Sequence, residues 1–207
     1  MQLEVILALA MVGGTVVLFW TLARYSAAKI ARQFALLAEK FDLELTEPPP
    51  MLLGFVRPEP SVYGVYRDRE ISVSVPGTGF KNTRQIESLL KVELRDQRMA
   101  AQFHPKGLLT SIQKRLSKVK TRWQSGETSF DEAIVVYSDA GRRLDRLITE
   151  ERRQWLEQTL RTGRGVIQMG GGALTYAELG LISDETRRQR FESAIAFLCD
   201  LAESIEE

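Results

Sequence analysis

His104, Asp131 and Asp139 are the residues whose types and placement could do acid–base chemistry in this chain. Histidine titrates nearest neutrality, and a carboxylate that orients it would complete a general base. His104 stands before Pro105 at an expected strand end, with no Ser or Asp pattern beside it, so a partner would have to come from distant sequence. Asp131 and Asp139 bracket the apolar run Ala133 to Tyr137, which would set both carboxylates near one sheet edge. Aspartate there also serves turns by accepting from backbone amides, and the pattern favours that role. One histidine and one cysteine, Cys199, exclude a multi-histidine metal site, a cysteine-based zinc site and an intramolecular disulfide. Cys199 lies beside an apolar helical row and reads as a small buried hydrophobe. No catalytic residue, cofactor or metal is expected.

Glycines give three further candidates: Gly77-x-Gly79, Gly163-x-Gly165 and Gly170 to Gly172. A phosphate cradle needs a glycine loop that follows a strand and opens a helix, and Gly-Lys-Ser/Thr is absent. Turn duty accounts for all three.

Charge is the more unusual signal. Formal net charge is +1, yet between Asp96 and Glu127 there is no acid, while Arg98, Lys106, Lys114, Arg115, Lys118, Lys120 and Arg122 are basic. Leu109, Ile112, Leu116, Val119 and Trp123 recur at helical spacing, predicting an amphipathic helix from Leu108 to Trp123. A basic face opposite an apolar one suits an anionic lipid surface or a partner, with Lys106, Lys114, Arg115, Lys118, Lys120, Arg122 and Trp123 as its residues. The alternative is a helix that packs on a sheet and leaves its charges in water. Nucleic acid is disfavoured, since Phe103 and Trp123 are the stretch's only aromatic platforms.

These surfaces must be held by elements legible in the pattern. Val5 to Ala23 is uncharged and apolar, which predicts a transmembrane anchor. Lys and Arg are absent before it and Arg24, Lys29, Arg32 and Lys40 follow it. The bias puts the N-terminus outside and the domain in the cytoplasm, a single-pass protein of the bacterial inner membrane. Removal as a signal peptide is the competing reading, opposed by the acidic, Lys/Arg-free start. Ile30, Phe34, Leu37 and Phe41 continue as a stripe, and Ala10, Gly14, Ala27 and Ala31 offer small-residue spacing for a helix–helix seam. A homodimer seam and packing on the protein's own domain both fit that pattern. Thr46 to Pro50 stops the helix. The expected organisation is an anchor over 1–23, a stalk and linker over 24–50, and a domain over 51–207.

Within the domain, Val62–Tyr66 and Ile71–Val75 form a hairpin about Arg67-Asp68-Arg69, Ile86–Arg95 and Met99–Phe103 form two more strands, and Ala133–Tyr137 a fifth. Thr149 caps a helix running to Gly163, Val166–Met169 and Ala173–Leu179 pair as a second hairpin, and Ser183 caps the last helix. Hairpins without regular βαβ crossovers predict an α+β fold, a mostly antiparallel sheet with helices on one face.

Gly126-Glu127-x-x-Phe130-Asp131 leading into Ile134 to Asp139 resembles a family of uncharacterised bacterial membrane proteins, as does Gly64-Val65-Tyr66-Arg67-Asp68-Arg69. Those proteins carry an N-terminal membrane helix, a Gly-x-Tyr-x-Gly-Arg-like hairpin and a Thr-Gly-Asp-x-x-Phe-Asp-like turn. Asp68 stands where that pattern prefers glycine, and Ser125 and Glu127 replace its Thr and Asp. The resemblance implies a domain of unknown function and no activity. The function expected is a non-enzymatic interaction or scaffolding module with a protein partner. A lipid-surface module, and an enzyme assembled from distant residues, are the alternatives.

Overall fold

Alternation along the strands builds one sheet, nine-stranded among the described residues. The computed structural model describes residues 2–49, 58–76, 86–107 and 121–207, with side chains from residue 10 onward in the first stretch. The first helix, α1, runs Gln2–Phe41. Strands follow at β1 (Glu44–Thr46), β2 (Ser61–Tyr66), β3 (Arg69–Ser74), β4 (Glu87–Glu93), β5 (Ala101–Pro105) and β6 (Arg122–Trp123). Then come α2 (Thr128–Ala133), β7 (Ile134–Ser138), α3 (Gly141–Leu147), α4 (Glu150–Gly163), β8 (Val166–Gly170), β9 (Ala173–Leu179) and α5 (Glu185–Glu206). The sheet order is β1-β2-β3-β4-β9-β8-β5-β7-β6, and every neighbouring pair is antiparallel.

Register aligns the core. Leu45, Val62, Val73, Leu90, Tyr176, Ile167, Phe103, Val136 and Trp123 form one cross-strand row through all nine strands. All but the half-buried Leu45 are buried. Side chains alternate between faces, so the neighbouring row, Glu44, Tyr63, Ser72, Lys91, Thr175, Gln168, Gln102, Tyr137 and Arg122, lies on the opposite face. The apolar face packs under α1, α4 and α5. Trp155 of α4 stacks on Phe197 of α5 at 3.8 Å between ring centroids, joining two of those helices.

The predicted α+β, mostly antiparallel sheet is present, but the membrane span is corrected. Among the described residues, no helix is long and apolar enough to cross a membrane. Within α1 the uncharged stretch Ala10 to Ala23 is interrupted by Gly13, Gly14, Thr15 and Thr21. These residues lower the apolar character that a span of roughly 20 predominantly apolar residues requires. The transmembrane anchor, the single-pass topology, the outside N-terminus and the inner-membrane placement with a cytoplasmic domain all rested on that span and are withdrawn with it.

Several boundaries also differ. The first helix ends at Phe41, not at the prolines, because Asp42 turns left-handed (φ 53°) and Leu43 N–H bonds back to the Ala38 carbonyl. Phe34, Leu37 and Phe41 are core residues, and β1 pairs with β2, so residues 34–46 pack on the body. Trp123 belongs to edge strand β6 rather than to a helix end. Asp184, not Ser183, caps α5, accepting from Arg187 N–H at 2.9 Å. The expected helix over Leu108–Trp123 falls mostly outside the described residues, as do Gly77 and Gly79.

Candidate functional site

The most exposed apolar surface comes from one helix that is only partly consumed by its own fold. Its C-terminal turns seat Phe34, Leu37 and Phe41 in the core, and Lys40 and Gln33 bond Glu192 and Arg188 of α5 at 2.6 and 3.1 Å. The same helix continues outward without cover from the other described residues. From Ala10 to Ser26 every side chain is exposed except Trp20, which lies half-buried with the Arg24 guanidinium 4.5 Å from its ring centroid. Met11, Phe19 and Tyr25 are 67%, 71% and 73% exposed, and Val12, Val16, Val17, Leu18 and Leu22 are exposed with them. At 100° per residue these positions point to nearly every side of the helix. A helix apolar all round is ordinarily buried, and contiguous bare apolar surface marks an interaction site.

The seam residues divide along this helix. Ala10 and Gly14 are exposed on the outer part, whereas Ala27 and Ala31 are half-buried where the helix approaches the body. Of the basic candidates, Lys106 and Arg122 are exposed, while Lys114, Arg115, Lys118 and Lys120 lie outside the described residues. Trp123 is buried; its indole N–H donates to Asp145 at 2.8 Å and its ring meets Phe130 edge-on.

The acid–base candidates do not converge. His104 is buried on β5, with Nδ1 3.1 Å from the Pro105 carbonyl and its ring stacked on Tyr137. Burial holds its pKa below the ordinary histidine value. Asp131 accepts from Ser125 N–H at 2.9 Å, Ser125 O–H at 3.0 Å and Gly126 N–H at 3.2 Å, closing the turn before α2. Asp139 accepts from Ala100 N–H at 2.8 Å. The two carboxylates lie at opposite ends of β7, each serving backbone. Cys199 is fully buried, and burial pushes its thiol up to about 11. Gly170, Gly171 and Gly172 have φ of 149°, 63° and 78° and form the β8–β9 turn.

One polar cluster was not anticipated from the sequence. Glu178, 1% exposed, accepts from the Tyr176 hydroxyl at 2.8 Å and from Arg190 at 2.6 and 3.1 Å. Arg187 Nε stands 3.0 Å away, close enough for ion pairing but not aligned for a hydrogen bond. Burial, and then the Glu178 charge, push the Tyr176 phenol well above its usual range, so it stays protonated as a donor. Hydrogen bonding to Glu178 raises Arg190. Arg187 also donates to the Leu181 carbonyl at 2.6 Å, and together these contacts fasten the first turns of α5 to β9 and the turn that follows it. The available signal was Glu178 in phase with Leu174 and Tyr176, an acid at an inward strand position.

Among the described residues, no group of three or more His, Cys, Asp or Glu is placed to hold a metal ion. A recess at the end of α5 is lined by Arg95, Asp96, Arg98, Arg143 and Glu206. Its charges are largely engaged: Arg143 donates to Asp96 at 2.6 Å, and Arg69 and the Arg95 backbone hold Glu206.

No family model matches this chain, and no curated protein does. Among solved structures it is similar to the crystal structure of the mycobacterial trehalose monomycolate transport factor A, TtfA. The TM-score is 0.56 at 11% identity, over 85% of this chain and 94% of that one. The likeness is one of fold.

Proposed function

We propose that the protein is a non-enzymatic interaction or scaffolding module: a sheet-and-helix body that presents the outer part of α1 to a protein partner. One observation carries this reading. The segment from Ala10 to Tyr25 is apolar on nearly every side and exposed, continuous with turns that are core. A rigid helix rooted in a core holds such a surface in one orientation, which limits the entropy lost on docking. The fold likeness lends support to this extent, that a protein of this fold serves as a transport factor. The family resemblance carried by Gly126 to Asp139 is retained as part of the proposal. It fits one local detail, since Asp68 takes the left-handed conformation (φ 56°) where the family pattern has glycine.

The rival enzyme would need His104, Asp131 and Asp139 to face a common substrate, and their placement on β5 and at the two ends of β7 opposes it. The test is site-specific photo-crosslinking of the full chain in cells, with the reactive group at Phe19. A discrete protein adduct, lost when Leu18 and Leu22 become Asp while the circular dichroism of the body is unchanged, is the expected result. Absence of any protein adduct from Phe19, Val12 and Val16 alike would overturn the reading.

A further inference from the structure

We propose that the occupant of the α1 surface is a second copy of this chain, packed antiparallel across Gly14. This deepens the reading of the preceding subsection and rests on it. Exposed large side chains from Met11 to Tyr25 leave on the order of 900 Å² bare around the helix, and a second helix covers one face of it, which sets the pair at the small, weak end of protein interfaces. From Ala10 to Ala23 the chain carries no charge, so this surface complements another apolar helix better than a charged groove. A two-fold pair needs such a self-complementary patch.

Two glycines locate the crossing. A Cβ built at Gly13 or Gly14 would meet nothing within 4 Å, so nothing among the described residues requires their lack of a side chain. Glycine inside a helix costs about 0.5–1 kcal/mol relative to alanine. Close approach of a second backbone is what that cost permits.

Charge sets the direction. In a parallel pair Arg24, Lys29 and Arg32 would run beside their own copies. An antiparallel pair crossing at Gly14 places Arg24 opposite position 4 of the second copy, since each lies ten residues from the crossing, and the sequence has Glu4 there. The bodies then sit at opposite ends of the pair, with their basic turns apart.

The full chain should sediment as a concentration-dependent dimer. Gly14→Leu should weaken dimerisation at least tenfold without altering the circular dichroism of the body. Arg24→Glu should weaken it severalfold, and combining it with Glu4→Arg should restore it. A monomer at all concentrations, or a dimer indifferent to Gly14→Leu, would overturn the proposal, as would an Arg24→Glu defect that Glu4→Arg deepens. The Phe19 crosslink separates the two readings. An adduct of twice the chain mass supports self-association. An adduct with a different protein overturns self-association but leaves the interaction module standing, and no protein adduct overturns both.

Discussion

The Tyr176 hydroxyl donates to the Glu178 carboxylate across 2.8 Å, two positions apart on the inward face of β9. Gly163 and Gly165, at the exit of α4, make room for the pair. A Cβ at Gly163 would come within 2.8 Å of both side-chain oxygens, and one at Gly165 within 2.5 Å of the Tyr176 ring. The buried ion cluster and the α4–β8 corner are therefore one packing unit.

Glu178→Ala should destabilise the protein by about 3–5 kcal/mol, because Arg190 and Arg187 would be left near an apolar interior without their counter-charge. Gly165→Ala should cost about 1–3 kcal/mol by overpacking against an aromatic ring. Urea melts of both variants check this; losses below about 1 kcal/mol in each would deny the cluster its role.

Two substitutions in α1 should behave oppositely. Leu37→Ala removes a fully buried side chain and should cost about 2–5 kcal/mol. Phe19→Ala, at a site 71% exposed, should stay within about 0.5 kcal/mol at concentrations where the chain is monomeric. Equal effects would mean that the helix is not divided between core and surface.

Acid should lower the stability of the protein in two steps. His104 is held below its ordinary value of 6.5 by burial, so the unfolded chain takes up that proton first and stability falls as pH drops below that value. Glu206 is held below its ordinary 4.5, chiefly by hydrogen bonds from Arg69. Its contribution is complete above 4.5 and is lost as pH falls through the lower folded value. Thermal melts across pH should lose the first step in His104→Phe and the second in Glu206→Gln. A wild-type profile flat from pH 7 to 5 would rule out the histidine part.

Gln102 and Gln168 are paired across β5 and β8, and among the described residues the side-chain nitrogen of each is buried without a hydrogen-bond partner. Gln102→Met keeps the volume and removes an unsatisfied donor, so it should stabilise by about 1 kcal/mol. A loss of more than 1 kcal/mol in a denaturant melt would show that the amide is engaged.

Local pattern determined much of this protein by itself. Alternation marked β2, β3, β8 and β9, and helical spacing marked α1 and α5, because those periods reflect the geometry of each element alone. Asp131, Cys199 and the Gly170–Gly172 turn could be read from neighbours a few residues away. Tertiary structure decided what depends on contacts between distant residues. It set the register that lines Leu45 to Trp123 across nine strands, drew Trp123 from an expected helix into an edge strand, and brought Glu178 to Arg190. It also divided α1. Its apolar residues look alike along the chain, and only packing against β2 and α5 makes Phe34 core while leaving Phe19 bare. Hydrophobicity in a sequence states that a side chain should leave water, and the assembled fold alone states what it meets there.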